Sequence, residues 1–120
     1  MTKASLSKKE IVSKREDIKK IFRAGTKIKT SLLWAYYTSS NKWSKIFVSI
    51  PKRNIKKAHD RNLLKRRIKE SYRRNKEILT NPFHIAIVYQ DKNPYSYKEI
   101  ELEVQEILKN INISKSEPTC

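Results

Sequence analysis

The stretch DRNLLKRRIKESYRRNK occupies residues 60–76 and combines a helical pattern with a large excess of positive charge. At about 100° per residue around a helix axis, Leu64, Ile68 and Tyr72 share one face. The stretch therefore predicts a helix over about residues 60–78 whose apolar face packs on a sheet. The opposite, polar face carries Asn62, Lys65, Arg66, Lys69, Arg73 and Lys76.

The charge of this region is one-sided. Between Lys52 and Lys76 the chain has 12 Lys and Arg but only two acids, which supplies +10 of the net charge of +16. A solvated helix face usually mixes signs at i,i+4 spacing, because like charges there repel. We therefore favour a phosphate-binding surface over a merely solvated face. A membrane surface is the weaker alternative, because the apolar face is needed for the core.

Asn62 suits a base edge or a 2′-hydroxyl, although a surface or helix-start role fits its position equally well.

Length and composition indicate one folded domain. The chain has 120 residues, of which 38% are hydrophobic, and it contains no apolar run of the roughly 20 residues that a membrane-spanning helix needs. The first residues lack the apolar core of a secretory signal, so we expect a cytoplasmic protein. Cys120 is the single cysteine and the last residue, so we expect neither an internal disulfide nor a cysteine metal site.

A first helix is indicated over about residues 13–24. Ser13 and Glu16 have the spacing of a capping box, and Ile21 lies on the apolar face that follows. Gly25, the single glycine of the chain, is expected to end this helix as a left-handed C-cap.

A last helix is indicated after Ser96 and Glu99, which repeat the capping-box spacing. The residues after Asn112 are polar and predict a loose tail. The apolar stripe of the predicted helix comprises Ile100, Val104, Ile107, Leu108 and Ile111.

Three strands complete the pattern. Residues 31–38 (SLLWAYYT) and 45–50 (KIFVSI) predict two strands paired through a turn at residues 39–44. Residues 83–89 (FHIAIVY) form a nearly continuous apolar run, which suits a central strand covered on both faces. The sequence therefore predicts a single α+β domain in which helices cover a small sheet.

The basic segment closely resembles the signature helix of the protein component of bacterial ribonuclease P. That family's pattern is Arg-Asn-Arg, an aliphatic residue, Lys-Arg, two variable residues and Arg-Glu, and residues 61–70 read RNLLKRRIKE. Residues 22–25 (FRAG) resemble the Phe-x-x-Gly that ends the family's first helix. Residues 48–53 (VSIPKR) resemble its Val-Ser-Lys-Lys strand end. The order of elements also agrees over about residues 6–111.

The resemblance implies an α-β-β-(β)-α-β-α sandwich with a left-handed βαβ crossover, although such crossovers are right-handed in about 98% of cases. It places an RNA-binding domain at residues 1–111, followed by a polar tail at residues 112–120.

The chain departs from the family's pattern at several positions. Leu63 stands where the second signature arginine is usual. Lys69 replaces an arginine and keeps the charge but not the bidentate fork. The segment 53–61 is one residue longer than the common form. A basic residue near the last strand corresponds to either Gln90 or Lys92.

The resemblance implies that an RNA subunit cleaves the 5′ leader from precursor tRNA, while the protein binds that RNA and holds the leader. The partners expected are the RNA subunit and precursor tRNA, with no membrane and no DNA, and the protein is expected to be monomeric. Mg²⁺ would be held mainly by the RNA. The residues expected to face RNA are Arg61, Asn62, Lys65, Arg66, Lys69, Arg73, Lys52 and Arg53.

The resemblance also implies a cleft for the single-stranded leader between the first helix and the sheet. Phe22 and Tyr36 match the family's aromatic positions, and Ile18 stands where another aromatic residue often lies. Trp34 shares the sheet face of Tyr36 by strand alternation. Aromatic side chains that stack on bases contribute about 1–3 kcal/mol each and tolerate any sequence. Packing in the core is an equally good interpretation of Phe22.

No catalytic site is indicated in the polypeptide itself. The acids are scattered, and no Ser or Cys has an evident base beside it. His59 is more typical of a surface or capping residue, and His84 of a residue packed in the core or a groove.

The alternative function is that of a ribosomal-type structural RNA-binding protein, which would not stimulate leader removal. A DNA-binding protein would instead prefer duplex DNA.

Overall fold

The computed structural model describes residues 11–12, 14–40 and 44–116. In this part of the chain the elements run α1 (Arg15–Ala24), β1 (Thr26–Lys29), β2 (Leu33–Ser39), β3 (Lys45–Ser49), α2 (Ala58–Asn75), β4 (Phe83–Tyr89) and α3 (Tyr97–Ser116). A single 3-10 turn, Lys76–Ile78, follows α2. The predicted α+β class is confirmed.

The four strands form one mixed sheet in the order β1-β2-β4-β3. Strand β2 is antiparallel to both β1 and β4, whereas β3 and β4 run parallel. The central position predicted for residues 83–89 is confirmed: Ile85, Ala86 and Ile87 are fully buried, so both faces of β4 are covered. The parallel pair makes β3-α2-β4 a crossover unit. Its left hand stays a prediction from the resemblance.

The predicted pairing of residues 31–38 with residues 45–50 is wrong, because β4 lies between β2 and β3. An apolar strand that is covered on both faces needs a neighbour at each edge, and β2 and β3 supply them. Strand β1 was not predicted individually. The strand has only four residues, TKIK, and three of them are exposed. The sequence therefore carries little of the apolar alternation by which a strand is recognised.

Helices α2 and α3 pack together on one face of the sheet. The predicted apolar face of α2 is confirmed, since Leu64, Ile68 and Tyr72 are all fully buried. They join the buried sheet residues and the predicted stripe of α3 in one cluster. The stripe is fully buried at Ile100, Val104, Ile107, Leu108 and Ile111.

Helix α1 covers part of the opposite sheet face. Ile21, which is 1% exposed, packs in a second, smaller cluster with Val12 and Ala86. Ala86 lies on the other side of β4 from Ile85 and Ile87, because strand residues alternate. The sheet is therefore the middle of three layers, and α1 leaves part of its outer face open.

The helix ends agree with the sequence in part. At α3 the Glu99 amide donates to the Ser96 hydroxyl (3.3 Å), and the Ser96 amide donates to the Glu99 carboxylate (3.2 Å), so this capping box is confirmed. The capping box predicted at Ser13 lies outside the described residues. Helix α3 continues to Ser116, past the point after Asn112 where a loose tail was predicted.

The prediction of a left-handed Gly25 is wrong. Its φ of −78° and ψ of 156° are extended, a conformation that other residues also adopt. Glycine is needed there because a Cβ atom would overlap the carbonyl oxygen of Ile21, which accepts the Gly25 amide at 2.8 Å. It would also lie 3.1 Å from the carbonyl oxygen of Tyr37. The missing side chain lets α1 end directly against β2.

No helix within the described ranges is both long enough and apolar enough to cross a membrane.

Candidate nucleic-acid interface

The outward side of α2 presents the polar residues that the sequence predicted. Asn62 and Arg66 are exposed, and Lys65 and Lys69 are half-buried. We call the set Asn62, Lys65, Arg66, Lys69 and Arg73 the basic face. The opposite side of α2 is buried against the sheet and holds the helix in place. The cations of the basic face are therefore attached to a rigid element. A rigid row of cations at helical spacing can contact successive phosphates.

Arg73 is partly neutralised by an acid on the same helix. Its Nε and NH2 donate to the two carboxylate oxygens of Glu70 at 3.0 and 2.6 Å. This hydrogen bonding lowers the pKa of Glu70 and raises that of Arg73. Arg73 therefore contributes less net charge to the basic face than the sequence suggested.

Arg61 is turned toward the protein. Its NH1 donates to the carbonyl oxygens of Ile55 and Lys56 at 3.0 and 2.7 Å, in the loop that joins β3 to α2. The same loop carries Lys52 and Arg53, both exposed. The sequence could not show this bond. An arginine near the start of a helix can extend into solvent or fold back on the preceding loop, and the sequence pattern is the same in both cases.

The other candidate surface lies on the sheet face that α1 covers only in part. Phe22, in the last turn of α1, is 36% exposed, and its ring meets Tyr36 edge to face with 4.8 Å between centroids. The ring centroid of Phe47, in β3, lies 6.3 Å from that of Phe22. Trp34 is on the same face of β2 as Tyr36. We call Phe22, Trp34, Tyr36 and Phe47 the aromatic strip.

The strip combines packing with exposure. Tyr36 and Phe47 pack against the small cluster around Ile21, and so does Ile18, which is half-buried. The two interpretations of Phe22 are therefore not exclusive, since its ring contacts other rings and is still open to solvent.

Two lysines of β1 border the strip. The Lys27 Nζ lies 3.6 Å from the centroid of the Trp34 ring and 5.6 Å from that of Tyr36. The Lys29 Nζ lies 4.9 Å from the Trp34 centroid. Each is within the range of a cation–π contact. Aromatic rings that can stack on bases therefore lie beside cations that can hold phosphates, which is the usual composition of a single-strand binding surface.

Sequence reasoning missed Phe47 and the two lysines. Phe47 could have been found, because alternation in KIFVSI places it opposite Ile46 and Val48, both buried. The lysines depended on β1, which was not predicted. Once TKIK is recognised as a strand, Lys27 and Lys29 fall on one face.

The loop that joins β3 to α2 begins at the same end of the sheet as the Trp34 end of the aromatic strip. Trp34 pairs with Val88, and Val88 pairs with Ser49, the last residue of β3. Lys52 and Arg53 follow three and four residues later. The Trp34 end of the aromatic strip and the cations Lys52 and Arg53 therefore lie at the same end of the sheet.

His84 lies on the strip side of β4, in register with Lys45 and Thr38. Burial lowers its pKa, and the positive charge of Lys45 lowers it further. Neutral imidazole is therefore favoured there. Within the described residues there is no group of three or more His, Cys, Asp or Glu side chains that could hold a metal ion.

Comparison with known proteins agrees with this architecture. A family model described as Ribonuclease P matches residues 6–112. The ribonuclease P protein component of Clostridium novyi is 29% identical over 112 residues, which cover 90% of this chain and 98% of that protein. That of Macrococcus caseolyticus is 27% identical, covering 82% and 86%. That of Nitrosococcus oceani is 31% identical over 64 residues, about half of each chain (52% and 54%).

Solved structures show the same fold. The Staphylococcus aureus RNase P protein superposes with a TM-score of 0.77 at 18% identity, covering 87% of this chain and 96% of that one. The Thermotoga maritima RNase P protein gives a TM-score of 0.75 at 22% identity, covering 84% and 96%. The family model spans nearly all of the described elements, and this chain belongs to the Ribonuclease P family of protein components.

Proposed function

We propose that this chain binds the catalytic RNA of ribonuclease P and the 5′ leader of precursor tRNA. In doing so it promotes the endonucleolytic removal of the leader that generates mature tRNA 5′ ends. The chemistry would be carried by the RNA subunit, with Mg²⁺ held mainly by RNA, and the reaction would take place in the cytoplasm.

The observation that carries this proposal is the aromatic strip with its two lysines, on the opposite sheet face from α2. A protein that only binds structured RNA needs a basic surface such as α2. A surface of exposed rings beside cations suits a flexible single strand, because every base has a face that can stack. The chain therefore offers separate surfaces for a folded RNA and for a leader.

The basic face and the strip would divide the work. Cations of the basic face, with Lys52 and Arg53, would contact phosphates of the RNA subunit, and Asn62 could read a base edge or a 2′-hydroxyl. Phe22, Trp34 and Tyr36 would stack on leader bases without sequence preference. Such tolerance suits a subunit that handles many different leaders.

The decisive experiment adds the protein to a bacterial ribonuclease P RNA at low Mg²⁺ and follows release of a labelled leader under single-turnover conditions. We expect faster release than with RNA alone. A variant at an exposed residue that belongs to neither surface, Lys109→Ala on α3, should accelerate release as the wild type does. Tight binding to the RNA without acceleration would instead support the structural RNA-binding function.

A further inference from the structure

The turn between β1 and β2 is held by a carboxylate of helix α3. Glu103 is half-buried and accepts hydrogen bonds on both of its oxygens. The Ser31 hydroxyl donates to Oε2 at 2.5 Å, and the Leu32 amide donates to Oε1 at 2.9 Å. The Thr30 hydroxyl also donates to Oε1. We call Thr30, Ser31, Leu32 and Glu103 the turn clamp.

The turn clamp joins residues that are 71–73 positions apart in the chain. A hydrogen bond to an ionised acceptor is about twice as strong as a neutral one, and partial burial strengthens it further. The carbonyl oxygen of Leu32 in turn accepts the Gln90 amide at 2.8 Å, so both backbone groups of Leu32 are engaged. The turn is therefore fixed to α3 on one side and to the end of β4 on the other.

Strand β1 depends on this turn for its position. Its four residues lie at the edge of the sheet, beside β2, and three of them are exposed. Ile28 is the residue of β1 that packs against the large core cluster. A short edge strand with so little buried surface opens at a low cost in free energy. A clamp at the turn therefore restrains β1 where its own packing is weak.

The turn clamp adjoins the Trp34 end of the aromatic strip. Lys29 and Trp34 are the last pair of the β1-β2 ladder before the turn, and Lys27 pairs with Tyr36. These side chains share the face of the hairpin opposite to Ile28, because strand residues alternate. The Lys27 and Lys29 Nζ atoms lie 3.6 and 4.9 Å from the Trp34 centroid. A shift of the turn would therefore move both cations relative to the ring.

We propose that Glu103 is a positioning residue for the leader, because its clamp holds Lys27 and Lys29 beside Trp34. This rests on the proposed function, in which the aromatic strip binds the leader. The Glu103 carboxylate is bonded to the turn, so it acts through the hairpin and not on the RNA. A surface that is already ordered binds a flexible strand with a smaller loss of conformational entropy.

The negative charge of Glu103 gives the proposal a distinctive sign. Removing an acid strengthens the attraction of a protein for phosphates, so an electrostatic role alone predicts tighter binding of every RNA. The positioning role predicts weaker binding of precursor tRNA instead. Glu106, three residues further along α3, is exposed, and Glu106→Gln measures the effect of the lost charge by itself.

The test compares precursor and mature tRNA binding to holoenzymes assembled from a bacterial ribonuclease P RNA and each protein variant. Glu103→Ala should weaken precursor tRNA binding by about fivefold, the lower end of what one stacked base contributes. Mature tRNA should bind as it does to the Glu106→Gln holoenzyme. The cleavage rate at saturating holoenzyme should be unchanged, because the clamp affects only how the leader is held. Glu103→Gln keeps an oxygen acceptor for the turn and should recover most of the loss.

A double-mutant cycle identifies the route through Trp34. In the Trp34→Ala background, Glu103→Ala should have little further effect on precursor tRNA binding, because the ring that it positions is gone. Losses that add in full would overturn the positioning role. In the free protein, hydrogen exchange of the Leu32 amide should be faster in Glu103→Ala, and unchanged exchange would overturn the clamp.

Precursor tRNA binding by Glu103→Ala that equals or exceeds that of Glu106→Gln would overturn the inference, and so would equal weakening for both tRNAs. A wild-type holoenzyme that binds the two tRNAs equally would overturn the leader surface itself, and the proposed function with it. Should Glu103→Ala not fold, Thr30→Val combined with Ser31→Ala removes two donors from the other side of the clamp. That variant should show the same loss, specific to precursor tRNA.

Discussion

Phe22 and Tyr36 meet edge to face, with 4.8 Å between ring centroids and 62° between ring planes. The two residues come from the last turn of α1 and the middle of β2. A pair of this geometry contributes about 0.5–1.5 kcal/mol beyond the area that it buries. The contact therefore ties the position of α1 to the surface that we propose for the leader.

Replacing Tyr36 tests that surface directly. Tyr36→Ala removes a ring that could stack on a base, so precursor tRNA should bind more weakly by about 1–3 kcal/mol. Mature tRNA, which has no leader, should bind as before. Affinities for the two RNAs, measured with the RNA subunit present, check this. Tyr36→Phe is the matched control and should retain most of the binding. Equal losses for both RNAs would contradict the assignment.

Gly25 tests the closeness of α1 and β2. In Gly25→Ala the new methyl group would overlap the Ile21 carbonyl oxygen, so α1 must shift. We expect a loss of about 1–3 kcal/mol in the free energy of unfolding, as is typical of overpacked sites. Denaturant unfolding measures the loss. Ala24→Ser, at the exposed last residue of α1, should change stability much less, and a stable Gly25→Ala protein would show that the contact can relax.

Much of the fold follows from local pattern. The two faces of α2 and the stripe of α3 could be predicted because helical periodicity depends only on neighbours in sequence. The Ser96 capping box is likewise confined to four residues. Burial of Ile85, Ala86 and Ile87 was evident from an apolar run with no polar alternation.

Strand order and inward-facing charges depend on distant parts of the chain. Strands β2 and β3 each bury one face fully, and that pattern does not identify their neighbours in the sheet. The bond from Arg67 to the carbonyl oxygen of Tyr95 joins residues 28 positions apart, so it forms only when α2 lies beside the loop that follows β4. The bond between Glu70 and Arg73 is local, at i,i+3 on α2, so the sequence shows that the two residues are neighbours but not that their contact is bidentate.

Arg66 is the exposed arginine at the centre of the basic face. Arg66→Ala should lower affinity for the RNA subunit and flatten its salt dependence by about one unit, as expected when one phosphate contact is lost. Fluorescence binding titrations over a range of salt concentrations measure both effects. Lys109→Ala provides the control for a lost positive charge elsewhere. A slope equal to that of the wild type would argue against phosphate contact at Arg66.

Glu70 holds the Arg73 guanidinium in a bidentate pair on the basic face. Glu70→Gln should release it, so binding to the RNA subunit should tighten and its salt dependence should steepen by about one unit. Adding Arg73→Ala to this variant should cancel the gain. Glu106→Gln removes a charge from an exposed residue of α3 and should have little effect. If Glu70→Gln instead weakens binding, Arg73 contributes to RNA binding while it is paired with Glu70.

His84 makes stability depend on pH. Its folded-state pKa is lowered from 6.5, first by burial and then by Lys45, with Lys20 acting in the same direction and Asp17 in the opposite one. Below pH 6.5 the unfolded chain binds a proton more readily than the folded chain does, so stability falls as the pH decreases from 6.5 to the folded-state pKa. Below that value the loss is complete.

Thermal unfolding at a series of pH values should show this decline for the wild type. It should be reduced in His84→Gln, which has no titrating ring, and shallower in Lys45→Gln, where one opposing charge is gone. An identical decline in His84→Gln would assign the pH dependence to other groups.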